Sequence, residues 1–529
     1  MSKRIIPFLY LTLSSIFIIV STSTAGTIDL PQTGQTKCYN SAGGEIACIG
    51  TGQDGEIRAG VEWPNPRFAD NGEGTITDRL TGLIWLKDGN CFGPQTWYNS
   101  LDNIVDFNTH PRNYSCQDYT AAYTDWRLPN INELESLLNP EQQFPSTWLN
   151  DQGFINIQYS WYWSSTTRAA TVGLGPALHC AWTMSMMVGW ISTGSGTYGN
   201  SSAYLLPVRA GQSGSTNPNF PANVWKTGQK TSYYPGDDGD IQAGVSWPSE
   251  RFTDNGDGTV TDNLTGLMWT KNGSTPVVDT CPAGIMTWQD ALDFVACLNA
   301  KKYLGYEDWR LPNRKEFFSL IDCSQVNPAL PTGHPFVNLT TEPNSNYWAS
   351  TSAGAYSNAV AWLAMIKNEG GIGGTWKNNQ AGYNYQVWPV RGGLSNPAPG
   401  HLDHFSFSTI SSPQNVGTPF QVTISARDAG GGLTSSFNGE VSLTSNVGSV
   451  SPTSVWLVNG QATVSVTLYN RGTVRLNCNG HGAYGYSDFF DVTQAAVLVR
   501  VQYGAMLSTC EMIRYGRQRS HSTIWMAYR

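Results

Sequence analysis

The sequence predicts two tandem α+β units followed by an all-β sandwich. Three observations support this order. One block of sequence occurs twice, each copy combines hairpin signals with two short helical patterns, and the last part of the chain changes to short alternating segments. The 529 residues suffice for several domains, which agrees with three folded parts.

The composition excludes disorder and argues against a nucleic-acid partner. Charged residues make up only 13% of the chain, aromatic residues reach 12%, and there are 20 Trp and 55 Gly. The 31 Lys and Arg residues are outnumbered by 39 Asp and Glu, and no basic block is present to neutralise phosphates. We therefore expect a loop-rich, β-leaning protein whose surface is polar without being strongly ionic.

The first 25 residues are predicted to be a secretory signal peptide. Lys3 and Arg4 precede an apolar run at residues 5–20, and Ala25 ends a stretch of small residues. The run is shorter than the roughly 20 residues that a membrane-spanning helix needs. The mature chain is expected to be secreted, periplasmic or on the cell surface, without a transmembrane segment.

The ten Cys residues are an even count in a chain predicted to be exported, which favours disulfides over metal sites or catalytic thiols. Three pairs are expected from their positions around turns and equivalent segments: Cys38 with Cys48, Cys91 with Cys116, and Cys281 with Cys297. The remaining residues, Cys180, Cys323, Cys478 and Cys510, have no obvious partners, and a buried thiol is expected for Cys478.

An internal duplication defines the first two units. Residues 51–87 align without gaps on residues 235–271, and 24 of the 37 positions are identical. Shorter matches follow in the same order at 126–130 and 309–313, 162–166 and 347–351, and 207–209 and 389–391. The first unit is therefore predicted to cover residues 33–211, and the second to cover residues 227–393.

Each unit is predicted to contain hairpins and two helices. Asn-Gly steps at 71–72 and 255–256 indicate tight β-turns. Thr96 and Thr287 precede apolar residues at three- and four-residue steps, which predicts an amphipathic helix in each unit. A second helix is predicted after residues 130 and 313, where Asn and a Glu three residues later have the spacing of a capping box. The Trp residues repeated at 63, 85, 126 and 163, with their counterparts, are expected in the cores.

These motifs together resemble a known family. The run Arg-Phe-x-Asp-Asn-Gly-x-Gly-Thr-x-Thr-Asp-x-Leu-Thr-Gly-Leu-x-Trp is followed in each copy by Asp-Trp-Arg-Leu-Pro-Asn, Tyr-Trp-x-Ser-Thr and Pro-Val-Arg. This order is similar to the family named after the C-terminal domain of the Legionella collagen-like adhesin. The resemblance implies a C-type-lectin-like α+β fold and binding to glycans or host surfaces.

The third domain is predicted at residues 402–493, after a Pro-rich linker at 397–400. Alternating apolar residues with turn signals every 8 to 12 residues indicate a β-sandwich. The stretches 437–443 and 459–462 are similar to bacterial immunoglobulin-like surface domains, which implies a spacer or adhesive module. Residues 495–529, with five Arg, one Glu and no Lys, are not assigned to a domain.

The charges that both copies retain are predicted to be structural. They are listed by pair as Asp125 and Asp308, Arg127 and Arg310, Glu133 and Glu316, and Arg209 and Arg391. Their positions beside Trp, Pro and helix starts favour ion pairs and caps over catalysis, and no His occurs in both copies. The Asp-Asn-Gly-x-Gly loop lacks calcium-ligand spacing and favours a hairpin turn. We expect no catalytic residues, no metal and no cofactor.

Aromatic residues among glycines near the unit ends are the candidate ligand-binding residues. They are Trp190 and Tyr198 in the first unit, and Trp376, Tyr383 and Tyr385 in the second. Residues 33–211 carry 9 basic and 16 acidic side chains, and residues 227–393 carry 11 and 16, so both units are acidic. The best basic cluster, which consists of Lys301, Lys302, Arg310, Arg314 and Lys315, is interpreted as a solvated helix face. A neutral glycan or a protein surface is therefore the expected ligand.

The sequence as a whole predicts a secreted or surface-associated protein that binds without catalysis, in adhesion or glycan recognition. Two alternatives stay open: an enzyme acting on glycans or proteins on a lectin-like fold, and a structural surface protein. The sequence indicates neither the identity of the ligand nor the oligomeric state.

Overall fold

The computed structural model divides the chain into two compact units, one up to residue 395 and one from residue 396 onward. It describes residues 28–169, 180–192, 201–211, 213–339, 346–354, 357–367, 370–378, 384–393, 402, 404–427, 432–435, 437–480 and 483–494. The predicted signal peptide and residues 495–529 lie outside the described residues.

The first unit contains both repeats. Its helices are α1 (Asp54–Ile57), α2 (Trp97–Thr109), α3 (Ile131–Ser136), α4 (Pro145–Asp151), α5 (Asp238–Ile241), α6 (Trp288–Ala300) and α7 (Arg314–Leu320), with short 3-10 turns at Pro111–Asn113 and Tyr303–Gly305. The strands of the first repeat and its connection to the second are β1 (Cys38–Tyr39), β2 (Glu45–Ile46), β3 (Phe68–Asp70), β4 (Thr75–Asp78), β5 (Leu83–Leu86), β6 (Trp161–Thr167), β7 (Ala181–Ser185), β8 (Ile191–Ser192), β9 (Val208–Ala210) and β10 (Ser213–Gly214). The second repeat contributes β11 (Gly244–Val245), β12 (Phe252–Asp254), β13 (Thr259–Asp262), β14 (Met268–Thr270), β15 (Asn346–Ser352), β16 (Val360–Met365), β17 (Ile372–Trp376) and β18 (Val390–Arg391).

The predicted helix starts are confirmed. The Thr96 hydroxyl accepts a hydrogen bond from the Asn99 N–H at the start of α2, and Thr287 caps α6 in the same way. Complete capping boxes begin α3 and α7, at Asn130 and Asn313. Helix α4 of the first repeat has Pro145 at its first position and was not predicted.

The predicted Asn-Gly turns are also confirmed as hairpins. They join β3 to β4 and β12 to β13, and each hairpin belongs to a four-stranded antiparallel sheet, β3-β4-β5-β9 or β12-β13-β14-β18. A buried ion pair closes each hairpin at its base, because Arg67 binds Asp78 and Arg251 binds Asp262 through two hydrogen bonds each. The two sheets are equivalent halves of a duplicated structure.

The two repeats share one central sheet of six antiparallel strands, in the order β15-β16-β17-β8-β7-β6. The repeats meet where Ile191 of β8 pairs with Ile372 of β17. The order of strands is the same when it is followed outward from this junction in either repeat. An approximate two-fold axis therefore passes through the junction, and the two repeats form one joint structure instead of two independent domains.

Each repeat is also covered by the opening segment of the other. Residues 28–61 open the first repeat, yet the Gln35 side chain bonds to both backbone groups of Ser352 in the second. Residues 213–245 open the second repeat, and Gln229 bonds to both backbone groups of Thr167 in the first. Sequence periodicity did not predict this reciprocal exchange.

The core of the first unit contains the predicted apolar helix faces and most of the repeated Trp residues. Trp85, Trp163, Trp269 and Trp348 are fully buried, and Trp126 and Trp309 nearly so. The prediction was wrong for Trp63 and Trp247, which are half-buried. Each lies against the guanidinium group of the hairpin arginine, Arg67 or Arg251.

The three predicted disulfides are confirmed, and each lies within one repeat: Cys38–Cys48, Cys91–Cys116 and Cys281–Cys297. Among the other cysteines, Cys180, Cys323 and Cys478 are buried. Burial raises the pKa of the Cys323 thiol well above its ordinary value and raises that of Cys478 to about 12, so both thiols are unreactive near neutral pH.

The described part of the second unit consists of β-strands and loops, as predicted. Its strands are β19 (His404–Phe407), β20 (Gln414–Asn415), β21 (Phe420–Arg427), β22 (Gly439–Ser445), β23 (Val450–Ser451), β24 (Ser454–Leu457), β25 (Gln461–Leu468), β26 (Gly472–Val474), β27 (Leu476–Gly480), β28 (Ala483–Tyr486) and β29 (Phe490–Thr493). They form the sheets β19-β21-β25-β23, β24-β22-β27-β28 and β20-β29-β26 around one apolar core. Across the described part of the chain, no helix combines the length and apolar character needed to span a bilayer.

Candidate ligand-binding site

Two of the predicted aromatic residues, one from each repeat, lie on the same face of the central sheet. Trp376 ends β17 and exposes 45% of its surface, and Gly374 lies two residues earlier on the same face. The half-buried Trp190 ring covers this glycine, because its Nε1 atom lies 3.5 Å from the position that a Cβ of Gly374 would take. We call these three residues the junction face.

The backbone beneath Trp376 is fixed by its neighbour in sequence. Lys377 is fully buried on the other side of the sheet, where its Nζ atom donates to Ser352 Oγ at 2.7 Å and lies 4.0 Å from the centre of the Trp288 ring. Nζ also donates to the Tyr39 carbonyl of the first opening segment at 3.3 Å. Burial lowers the pKa of Lys377 to about 7. Because Lys377 points inward, Trp376 must point outward.

The other predicted binding residues do not add to this face. Tyr385 is buried and packs edge-on against Trp348, so it belongs to the core and presents no open ring. Tyr198 and Tyr383 lie outside the described residues. Of the five aromatic candidates, two therefore remain on this face: Trp190 lies against Gly374, and Trp376 follows two residues further along β17.

The charges retained in both repeats form ion pairs and caps, as predicted. Arg127 and Arg310 each make two hydrogen bonds of 2.5 to 2.6 Å to the capping-box glutamates, Glu133 and Glu316. Nearer the surface, Arg209 bonds to Asp125 and stacks on Tyr123. Arg391 bonds to Asp308 and stacks on Tyr306. These contacts place the repeated charges in ion pairs, helix caps and ring stacking within the structure.

A second polar arrangement, which the sequence did not reveal, joins each opening segment to the repeat that it covers. Asp54 Oδ2 accepts hydrogen bonds from Thr33 at 2.7 Å and from Thr351 at 2.6 Å. Asp238 Oδ2 accepts equivalent bonds from Thr227 and Thr166, also at 2.6 to 2.7 Å. We call each set an Asp–Thr joint. The repeated Asp-Gly step was the signal in the sequence, but it does not show which repeat the aspartate contacts.

Both joint aspartates are buried without a cation bonded to the carboxylate in the described structure. Burial raises the pKa of Asp54 to about 6 and that of Asp238 to about 7, although the threonine hydroxyls oppose the shift. Thr351 and Thr166, which lie in the central sheet, also accept hydrogen bonds from the first N–H groups of α7 and α3, respectively. The joints therefore tie the helix starts to the opening segments, which is a structural role.

The predicted solvated helix face was wrong for three of its five residues. Arg310, Arg314 and Lys315 are buried, whereas Lys301 and Lys302 are exposed. Arg314 and Lys315 contact Glu135 of the other repeat, some 180 positions away in the sequence, so local charge patterning did not reveal their partner. The surface of the second repeat therefore has fewer positive charges than its sequence indicated.

The described residues include no group of three or more His, Cys, Asp or Glu side chains arranged to hold a metal ion. The junction face instead consists of two indole rings with backbone between them. Such a surface suits apolar stacking and uncharged hydrogen bonds.

The family model of the Lcl C-terminal domain matches the chain twice, at residues 74–209 and 258–391, which together make up just over half of its length. No curated protein and no solved structure matches the chain.

Proposed function

The chain belongs to the Lcl C-terminal domain family, and from this premise we propose that it is a non-catalytic adhesion protein whose junction face binds a neutral glycan. The family is associated with an adhesin, which is consistent with a role in binding or adhesion. The observation that carries the proposal is the exposed Trp376 ring beside Trp190 on one face of the central sheet.

Aromatic rings recognise sugars because the C–H groups of a pyranose pack on the ring face while its hydroxyls remain available for hydrogen bonds. A Trp that is largely exposed in the free protein also carries a cost in water, and a ligand that covers it removes that cost. The Trp376 indole is an aromatic ring of this kind, and 45% of its surface is exposed and can be covered by a ligand. The rigid sheet and the inward Lys377 hold it in place before the ligand arrives, so little ordering entropy is lost on binding.

A neutral ligand is proposed because each repeat carries an excess of acidic side chains. Burial of Arg310, Arg314 and Lys315 strengthens this argument, since these cations cannot pair with an external anion. A polyanion would meet net repulsion at the surface. Binding through stacking and neutral hydrogen bonds depends little on salt.

The proposal also includes export of the chain and a role for each of its two units. Residues 1–25 are a signal peptide that directs the chain to the exterior or periplasm, where its disulfides form. The paired repeats are lectin-like binding modules, and the second unit is an immunoglobulin-like sandwich that acts as a spacer or a further adhesive module.

The test is binding of the purified full chain to an array of neutral and sulfated glycans, followed by titration of the best neutral oligosaccharide. Trp376→Ala is expected to weaken that binding by roughly 30-fold, the effect of losing about 2 kcal/mol at a central Trp contact. Tyr469→Ala is the matched control, because Tyr469 is an aromatic residue of the second unit with an exposure of 54%, similar to that of Trp376. The control should bind like the unchanged chain.

The same titrations at low and high salt separate the proposed ligand class from its rival. The affinity for the neutral oligosaccharide should change less than about 2-fold. Two results contradict the proposal: Trp376→Ala binding as tightly as the control, or tight binding only to heparin that disappears at high salt. Hydrolysis of an arrayed glycan would favour an enzyme instead.

A further inference from the structure

The approximate two-fold axis brings α3 of the first repeat against α7 of the second, and it creates two equivalent contacts. At one contact, residues at the start of α7 meet a residue near the end of α3. At the other, the roles of the helices are reversed. The capping boxes align the helices, so Ile131, Asn132 and Glu135 of α3 correspond to Arg314, Lys315 and Phe318 of α7.

The first contact is ionic and fully buried. Glu135 accepts a hydrogen bond from Arg314 Nε at 3.1 Å and another from Lys315 Nζ at 2.8 Å, and none of the three side chains is more than 3% exposed. Arg314 also donates to the Gly189 carbonyl of the first repeat at 2.8 Å and stacks on Trp362 at 4.0 Å. We call Glu135, Arg314 and Lys315 the charge triplet.

The equivalent positions on the other side of the axis carry no charge, and Asn132, which takes the place of Lys315, donates to the Trp225 carbonyl. Phe318 takes the place of Glu135, and Ile131 takes the place of Arg314. Both side chains are buried in the core that the repeats share. The same molecule therefore has charged residues at the contact on one side of the axis and uncharged residues at the equivalent positions on the other side.

We propose that the charge triplet makes α3 of the first repeat a selective docking surface, which accepts the second repeat and rejects another copy of the first. Pairing between two first repeats would place each Glu135 against Ile131 and Asn132, leaving two buried carboxylates without a cation. Pairing between two second repeats would place Arg314 and Lys315 against Phe318, leaving four buried cations without an anion. An unpaired buried charge is strongly unfavourable. In the pairing of a first with a second repeat, by contrast, Glu135 bonds to both Arg314 and Lys315, so each buried charge of the triplet has a partner of opposite sign.

The exchange of opening segments explains why selective pairing matters for this chain. Each repeat depends on a segment that belongs to the other, so chains could in principle pair like with like across molecules. The short connection between the repeats already favours pairing within one chain. The charge triplet removes the competing like pairs, and the chain closes on itself as a monomer.

The test uses two full-length variants that are each mismatched but complement one another. Glu135→Arg places three cations at the contact, and the double variant Arg314→Glu, Lys315→Glu places three carboxylates there. Each alone is expected to lower the ratio of folded to unfolded first unit by about 100-fold or more. Refolded together, they should form a 1:1 complex of two chains, because each repeat then finds an oppositely charged partner in the other molecule. Light scattering measures the mass, and thermal unfolding measures the recovery.

A third variant combines all three substitutions in one chain and serves as the control for folding. Its inverted triplet should restore a monomer with a cooperative unfolding transition. The proposal is overturned if either mismatched variant is as resistant to thermal unfolding as the unchanged chain, or if the mixed sample contains no two-chain complex. It is also overturned if the inverted chain is as unfolded as its parents, since shape rather than charge would then decide the pairing.

Discussion

The opening segments of the two repeats dock through the same Asp–Thr joint, but among the described residues only the first segment also covers a buried amine. The hydrogen-bond lengths at Asp54 and Asp238 agree within about 0.1 Å. Lys377 lies beneath the first segment, whereas residues 191–200 of the first repeat contain no Lys or Arg. Duplication therefore preserved the geometry of the joint while the buried charge around it diverged.

The two joints should therefore respond alike to pH, and the amine should add a response of opposite sign. A raised carboxyl pKa means that the folded state binds more protons than the unfolded state between the two pKa values. The free energy of unfolding then falls as pH rises through that window. A lowered amine pKa means that the unfolded state binds more protons, so the free energy of unfolding rises with pH.

The largest expected effect comes from removing both joint carboxylates. Between pH 4 and pH 7, we expect Asp54 to lower the free energy of unfolding by about 2 kcal/mol and Asp238 by about 3 kcal/mol, from their pKa values of about 6 and 7. The double variant Asp54→Asn, Asp238→Asn should lose this decline, because the amides stay neutral. Denaturant unfolding of the first unit at a series of pH values measures it.

The control for this variant is Asp151→Asn, which changes an exposed carboxylate at the end of α4. It should follow the pH profile of the unchanged chain. The single variants Asp54→Asn and Asp238→Asn separate the two joints, since each should remove only its own part of the decline. A double variant that keeps the full decline would show that neither carboxylate carries the buried charge assigned to it.

A smaller effect is expected from Lys377→Met, which removes the feature found in one segment only. Because its pKa falls from 10.5 to about 7 on folding, Lys377 should make the free energy of unfolding rise by about 4 kcal/mol between pH 7 and pH 10. The variant should lose this rise and keep the decline at lower pH. The same denaturant series measures it, and Lys302→Met, at an exposed lysine, is the control. An unchanged rise in Lys377→Met would mean that the amine is hydrated in solution.

Much of the local structure followed from the sequence. The capping boxes at Asn130 and Asn313, the Asn-Gly hairpins and the three disulfides depend on residues that lie close together in the chain. The partners of Asp54, Arg314 and Lys315 could not be predicted, because each lies in the other repeat. Periodicity shows which face of an element is buried, but not which of two similar repeats buries it.

The candidate site shows the same limit. Glycine-rich surroundings pointed to Trp190 and Trp376 but also to Tyr385, which is a core residue. Exposure depends on how strands align, and the alignment of β8 with β17 joins segments from different repeats. Aromatic residues near the end of a unit are therefore candidates, but only the strand pairing between the repeats shows which of them are exposed.

The smallest expected effect concerns the glycine between the two indoles and rests on the proposed function. In Gly374→Ala, the new methyl group would lie 3.1 Å from Val360 Cγ1, which must yield by a few tenths of an ångström. It would also fill the space beside Trp190 Nε1, at an ordinary contact distance of 3.5 Å, and so raise the surface beside the Trp190 ring. We expect binding of the neutral oligosaccharide to weaken about 5-fold, or about 1 kcal/mol, with little change in stability. The matched control is Gly373→Ala, whose methyl group would first meet the flexible end of Met365 at 3.6 Å. Titration of both variants decides the point: equal affinities would mean that Trp190 does not contact the ligand and that Trp376 acts alone.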